Sequence, residues 1–84
     1  MSKKVVTIGS AQATDARGIA EAVQLASHYE SSLHILVRNM SANIKSIMGM
    51  MTLELAKGEE VTLVAEGADE QEALDGLQHF FAGV

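Results

Sequence analysis

Asn43-Ile44-Lys45-Ser46-Ile47-Met48-Gly49-Met50-Met51-Thr52-Leu53 is the stretch whose reading decides the fold. It reads as a short helix that begins near Ser46 and runs to about Thr52 or Leu53. Ser46 stands at the N-cap, where a hydroxyl accepts a hydrogen bond from the first free backbone N–H groups. Those N–H groups and the helix dipole also favour a phosphate. The apolar group Ile47, Met48 and Met51 is too crowded to be wholly core. A phosphoryl group on Ser46 would set a charge of about −1.5 to −2 beside these side chains and change what the surface binds. On these residues alone two readings stand, a capped amphipathic turn or a switch.

Downstream, Ala56-Lys57-Gly58 makes a turn, and residues 59–66 alternate as a strand, with Val61, Leu63 and Ala65 set against Thr62 and Val64. Gly67 ends it. Asp69 and Glu72 form a D-x-x-E capping pattern for a last helix whose apolar side is Ala73, Leu74, Leu77, Phe80 and Phe81. Upstream, residues 40–43 are a short strand joined through the tight turn Arg38-Asn39 to another, in which Leu33, Ile35 and Val37 alternate with His34 and Leu36. Glu30-Ser31-Ser32 separates that strand from a helix capped by Asp15, with apolar residues at 19, 22, 23 and 26. Residues 10–14 are a small polar loop, and residues 4–9 form the first strand, Val6 and Ile8 on one face and Val5 and Thr7 on the other.

The order is βαββαβα. The economical packing is an α+β open-faced two-layer sandwich, with a four-stranded, mainly antiparallel sheet covered on one face by helices. Val5, Leu36 and Val64 then fall on or near the uncovered face. Either that face is partly covered or the register is off by one somewhere.

A chain of 84 residues forms one domain, 1–84, with an ordinary 48% hydrophobic and 20% charged composition. A net charge of −5, with six scattered Lys and Arg, argues against direct nucleic-acid binding. No apolar run approaches the roughly 20 residues that span a bilayer, and Met1-Ser2-Lys3-Lys4 does not open a signal peptide, so a cytoplasmic location is expected. Without Cys there are no disulfides and no thiolate sites. His28, His34 and His79 are too separated to suggest a metal site, and no cofactor is expected.

Three segments carry a family resemblance: Lys45-Ser46-Ile47-Met48-Gly49, residues 57–67 from Lys57-Gly58-Glu59 through Ala65-Glu66-Gly67, and Asp69-Glu70-Gln71-Glu72-Ala73. Over essentially its whole length the chain resembles the HPr family, the small phosphocarriers of the bacterial sugar phosphotransferase system. Within that family it is closest in character to the catabolite-repression HPr-like regulatory proteins, which lack the active-site His. The resemblance implies the same βαββαβα sandwich. In the phosphocarriers a Gly-Leu-His-Ala-Arg-Pro or Gly-Ile-His-Ala-Arg-Pro motif opens the first helix, and its His carries the phosphoryl group. The aligned residues here are Ala13-Thr14-Asp15-Ala16-Arg17-Gly18, so Asp15 replaces the His and Gly18 the Pro. A carboxylate forms only an acyl phosphate, usually beside a metal, and no carboxylate cluster surrounds Asp15 in the sequence. Asp15 therefore reads as an N-cap.

The resemblance implies a non-enzymatic regulator. Ser46 would be phosphorylated by HPr kinase/phosphorylase, and the phosphorylated form would act as corepressor of catabolite control protein A or a similar regulator. Ile47, Met48 and Met51 would be the patch read by partners, Arg17 a cation near the phosphate, and Lys45 an assistant. Two alternatives are a phosphocarrier using a non-standard acceptor and a divergent HPr-fold binding module regulating a metabolic enzyme. The regulatory relatives form dimers, including strand-swapped ones, and residues 10–14 are a suitable hinge for a homodimer.

Overall fold

Alternation of Leu33, Ile35 and Val37 with His34 and Leu36 gives β2 (Ser32–Val37) one buried and one open face; Val61, Leu63 and Ala65 do the same for β4 (Glu60–Glu66). In the computed structural model, which describes residues 1–83, these are the central strands of a four-stranded sheet of order β1-β4-β2-β3. Strands β1 (Ser2–Thr7) and β3 (Met40–Asn43) are the edges, and all three pairings are antiparallel. Helices α1 (Ala16–Ser27), α2 (Ile47–Thr52) and α3 (Glu70–Ala82) complete the order βαββαβα. Helix α3 packs on β1 and β4, and α1 packs on α3 and α2, making an α+β open-faced sandwich. Ile19, Ala22 and Ala26 from α1 and Ala73, Leu74, Leu77 and Phe81 from α3 bury against the inner face of the sheet. Apolar area removed from water, at about 25 cal/mol per Å², is the main force joining the two layers.

The register leaves the second face open. Val5 pairs with Thr62, Thr62 with Leu36, and Leu36 with Ser41, so one outward row crosses the whole sheet. Val5 remains 58% exposed and Leu36 38%. No slip has occurred, since Leu33, Ile35, Val61, Leu63 and Ala65 all face the core, and of the three apolar residues Val64 is half-buried while Val5 and Leu36 stay exposed.

Local differences from the sequence reading have tertiary causes. Strand β1 starts at Ser2 instead of Lys4, because Ser2 pairs with Ala65 at the far end of β4 and its hydroxyl donates to Glu70 on α3. Gly9 has left the ladder, and its N–H donates to the Phe81 carbonyl at 2.9 Å. The segment 10–14 holds a 3₁₀ turn, Ala11–Ala13, capped by Ser10. Arg38 and Asn39 form the expected tight turn with φ of 47° and 65°, and the Arg38 guanidinium donates to the Leu53 carbonyl and the Glu59 carboxylate.

The capping box at α3 is corrected. Asp69 occupies the N-cap position but makes no cap hydrogen bond. Its carboxylate accepts instead from Glu30 N at 2.9 Å, Ser31 N at 3.0 Å and the buried Ser31 hydroxyl at 2.5 Å. A buried hydroxyl and two turn N–H groups outbid the single N–H that a cap would satisfy. The Ser31 hydroxyl, then the Glu30 N–H, hold the Asp69 carboxyl below its ordinary value; the Ser2 hydroxyl chiefly does the same for Glu70. In both, the folded form binds protons less readily than the unfolded chain. Their contribution is complete above the ordinary carboxylate range and disappears as pH falls through the depressed folded values. Urea midpoints are therefore expected to decline from about pH 5 downward, with a shallower decline for Asp69→Asn combined with Glu70→Gln. Identical slopes in the two proteins would show that these carboxylates do not set the acid limit.

Candidate functional site

Ser46 is placed by the link between β3 and α2. Ile44 is fully buried and its N–H donates to the Leu33 carbonyl at 2.9 Å, which anchors the link to the sheet. Asn43 then turns the chain: its side-chain oxygen accepts from Lys45 N at 2.9 Å and its carbonyl from Ser46 N at 3.0 Å. Ser46 arrives in an extended conformation, φ −113° and ψ 114°, and its hydroxyl oxygen accepts from Gly49 N at 3.2 Å. This is the N-cap that the sequence specifies.

Helix α2 divides its apolar residues sharply. Met50 and the following Leu53 are buried, whereas Ile47 is 47% exposed, Met51 51% and Met48 82%. The crowding legible in the sequence is thus resolved by leaving three large side chains in water beside a half-exposed Ser46. Ile47 lines a shallow depression with Arg17, Ala20, Val23 and Gln24 of α1, and Met51 lines another with Thr14, Ala16 and Ile19. The seam between α1 and α2 brings Arg17 to the patch. The Arg17 side chain is 90% exposed and lies 3.6 Å from Glu21, one turn on.

Lys45 is placed differently from a free surface cation. It is half-buried, and its Nζ donates to the Tyr29 carbonyl at 2.8 Å. No signal in the sequence marks this contact, because the acceptor is a main-chain oxygen in another turn.

Asp15 caps α1, its Oδ1 accepting from Gly18 N at 2.8 Å. A Cβ at Gly18 would overlap the Gln12 carbonyl oxygen and stand 2.9 Å from Ala13 backbone atoms, so the 3₁₀ turn lies directly on the start of α1. The carboxylate is committed to its cap under a closely seated turn. Among the described residues no group of three or more His, Cys, Asp or Glu is placed to hold a metal ion. His28 ends α1, His34 lies on the open face of β2, and His79 bonds the Asp75 carbonyl within α3 at 2.8 Å. Also among the described residues, no helix is long and apolar enough to cross a membrane.

Comparison with known proteins accords with this arrangement. Residues 2–83 match the family model described as the PTS HPr component phosphorylation site. The chain is 39% identical over 80 residues to the HPr-like protein Crh of Halalkalibacterium halodurans, covering 95% of each. A crystal structure of the phosphocarrier protein HPr of Bacillus anthracis superposes with a TM-score of 0.92 at 32% identity, covering 95% of both chains. Crh of Bacillus subtilis, a catabolite repression protein seen in its crystal as a swapped dimer, superposes at 0.78 with 38% identity, over 93% of this chain and 85% of that one. These relatives are phosphocarrier or regulatory proteins, not enzymes. Fold and sequence converge, and the chain belongs to the HPr family, with HPr-like proteins among its relatives.

Proposed function

We propose that this chain is a regulator switched at Ser46 by HPr kinase/phosphorylase, its phosphorylated form acting in the cytoplasm as corepressor of catabolite control protein A. The observation that carries the reading is the half-buried Ser46, its hydroxyl at the N-cap of α2, beside exposed Ile47, Met48 and Met51; by the family resemblance Asp15, a helix cap here, stands at the position of the phosphocarrier His. In the transfer, the Ser46 oxygen forms a bond to the γ-phosphorus of ATP and the bond to the ADP oxygen breaks. The hydroxyl proton leaves to a base of the kinase. The Ser46 oxygen accepts from Gly49 N and keeps a lone pair for the attack. The product sets a charge of about −1.5 to −2 against the methionine patch. Flexible, polarizable Met48 and Met51 can serve several partners with one surface, and Arg17 across the seam supplies a cation. A homodimer, as in the swapped Bacillus subtilis relative, is part of the same reading.

Incubation with the kinase and ATP, followed by intact-mass measurement, should add one phosphoryl group to the native chain and to Asp15→Ala, and none to Ser46→Ala. An adduct that survives Ser46→Ala would falsify the assignment. Gly49→Ala offers a finer test. A Cβ there would sit 3.4 Å from the Ser46 hydroxyl oxygen and 3.6 Å from Ala42 Cβ, ordinary contacts that a helix accepts. Stability should rise by about 0.5–1 kcal/mol, the usual gain of Ala over Gly inside a helix. The same methyl crowds the space a phosphoryl group enters, so phosphorylation should slow; an unchanged rate would place the incoming phosphate on the other side of Ser46.

A further inference from the structure

The turn between α1 and β2, residues 28–31, is tied to separate parts of the molecule. Asp69 accepts from Glu30 N, Ser31 N and the Ser31 hydroxyl. The Tyr29 hydroxyl lies against α3, where a Cβ at Gly76 would overlap it. A further tie is the Lys45 ammonium on the Tyr29 carbonyl, at 2.8 Å. Lys45 immediately precedes Ser46, and its own N–H is fixed by Asn43. One side chain thus joins the residue before the Ser46 hydroxyl to a turn on another element.

We propose that Lys45 is a positioning residue that transmits the state of Ser46 to the turn at residues 28–31: its ammonium rests on the Tyr29 carbonyl beside an unmodified Ser46 and transfers to the phosphate beside a phosphorylated one. The proposal rests on Ser46 being the modified residue. Its physical basis is a competition between two acceptors for one cation. A carbonyl offers a neutral dipole, whereas a phosphoserine offers about −1.5 to −2 of charge and three acceptor oxygens. Hydrogen bonds between ionised partners are about twice as strong as neutral ones. A lysine head on a flexible four-carbon stem reorients without moving the backbone that carries it. Arg17, its side chain 90% exposed on α1, makes no hydrogen bond or ion pair with the turn at residues 28–31 among the described residues, so its part beside the phosphate leaves the Tyr29 carbonyl to Lys45. On transfer the turn loses its tie to the start of α2 but keeps Asp69 and the packing on α3. The change is confined to the Tyr29 carbonyl and the following Glu30 amide, so phosphorylation becomes readable at the C-terminal end of α1 as well as at the patch.

The test uses the full chain with phosphoserine incorporated at position 46 during translation, which makes it independent of any kinase. The Tyr29 carbonyl-carbon resonance should move upfield relative to the unmodified chain, as it does when a hydrogen bond is lost, and the Glu30 amide should shift with it. Lys45→Met should produce the same displacement without phosphate and show no further one with it, whereas Arg17→Ala should leave the native response intact. A Tyr29 resonance indifferent to phosphoserine overturns the proposal, as does a full response in Lys45→Met. On the unmutated chain the Lys45 Nζ resonance must move in the same sample; if it stays, the proposal fails even should Lys45→Met not fold. Failure of the kinase to modify Ser46 would sink the proposed function and leave this outcome untouched.

Discussion

Phe81→Ala should lower the stability of this protein by about 3–5 kcal/mol, the range for removing a fully buried aromatic side chain. Phe81 has no exposed surface and stands edge-on to Phe80, with ring centroids 5.3 Å apart and an interplanar angle of 87°. Loss of that pair adds about 0.5–1.5 kcal/mol to the lost burial. The ring sits in the last turn of α3 opposite the start of the loop after β1, where its own carbonyl holds Gly9 N. Small domains have about 5–15 kcal/mol in total, so the variant should be partly unfolded at physiological temperature. A urea titration should show the midpoint falling at unchanged slope. Phe80→Ala, at a half-buried position, should cost clearly less. Equal costs would mean that the ring pair, and not the burial of Phe81, carries the energy.

Gly18→Ala pits two magnitudes against each other. Helix propensity alone predicts a gain of about 1 kcal/mol for Ala over Gly in the first turns of α1. Against it stands the added methyl, which would overlap the Gln12 carbonyl and crowd Ala13. Both obstacles are main chain, and the turn that carries them is held by Ala13 N to the Ser10 carbonyl at 3.2 Å and Thr14 N to the Ala11 carbonyl at 3.1 Å, with Ala13 buried. Displacing such a turn costs more than rotating a side chain, and overpacking of this kind costs about 1–3 kcal/mol or more. The net expectation is a loss of about 1–2 kcal/mol, opposite in sign to Gly49→Ala although both replace a helical glycine. A stabilised Gly18→Ala would show that the 3₁₀ turn yields freely. A Pro at 18 would likewise lose the N–H that Asp15 caps and meet the same carbonyl.

Much of the architecture was legible because it rests on periodicity. Val61, Leu63 and Ala65, Leu33, Ile35 and Val37, and the stripes of α1 and α3 each declare a buried face within a few residues. Ser46 as an N-cap and the surplus apolar residues after it were equally local. The Asp69 capping box was misread because a carboxylate near a helix start satisfies whichever donors reach it, and the better donors came from Glu30 and Ser31, far away in the chain. The first strand was misplaced by two residues for a related reason, since its limits are set by where β4 offers partners.

Sequence by itself determined the element order, the buried faces and the helix caps at Asp15 and Ser46, all properties of short segments governed by local sterics and hydrogen bonding. Only the tertiary structure decided that Val5 and Leu36 stay exposed, that Arg17 and Ile47 line one depression across the α1–α2 seam, that Gly18 admits the Gln12 carbonyl, and that Lys45 reaches Tyr29. Those contacts join residues whose positions depend on how whole elements pack. A side chain's local pattern says which face it wants to bury, but the neighbour it meets there is chosen by the summed packing of the sheet and all three helices.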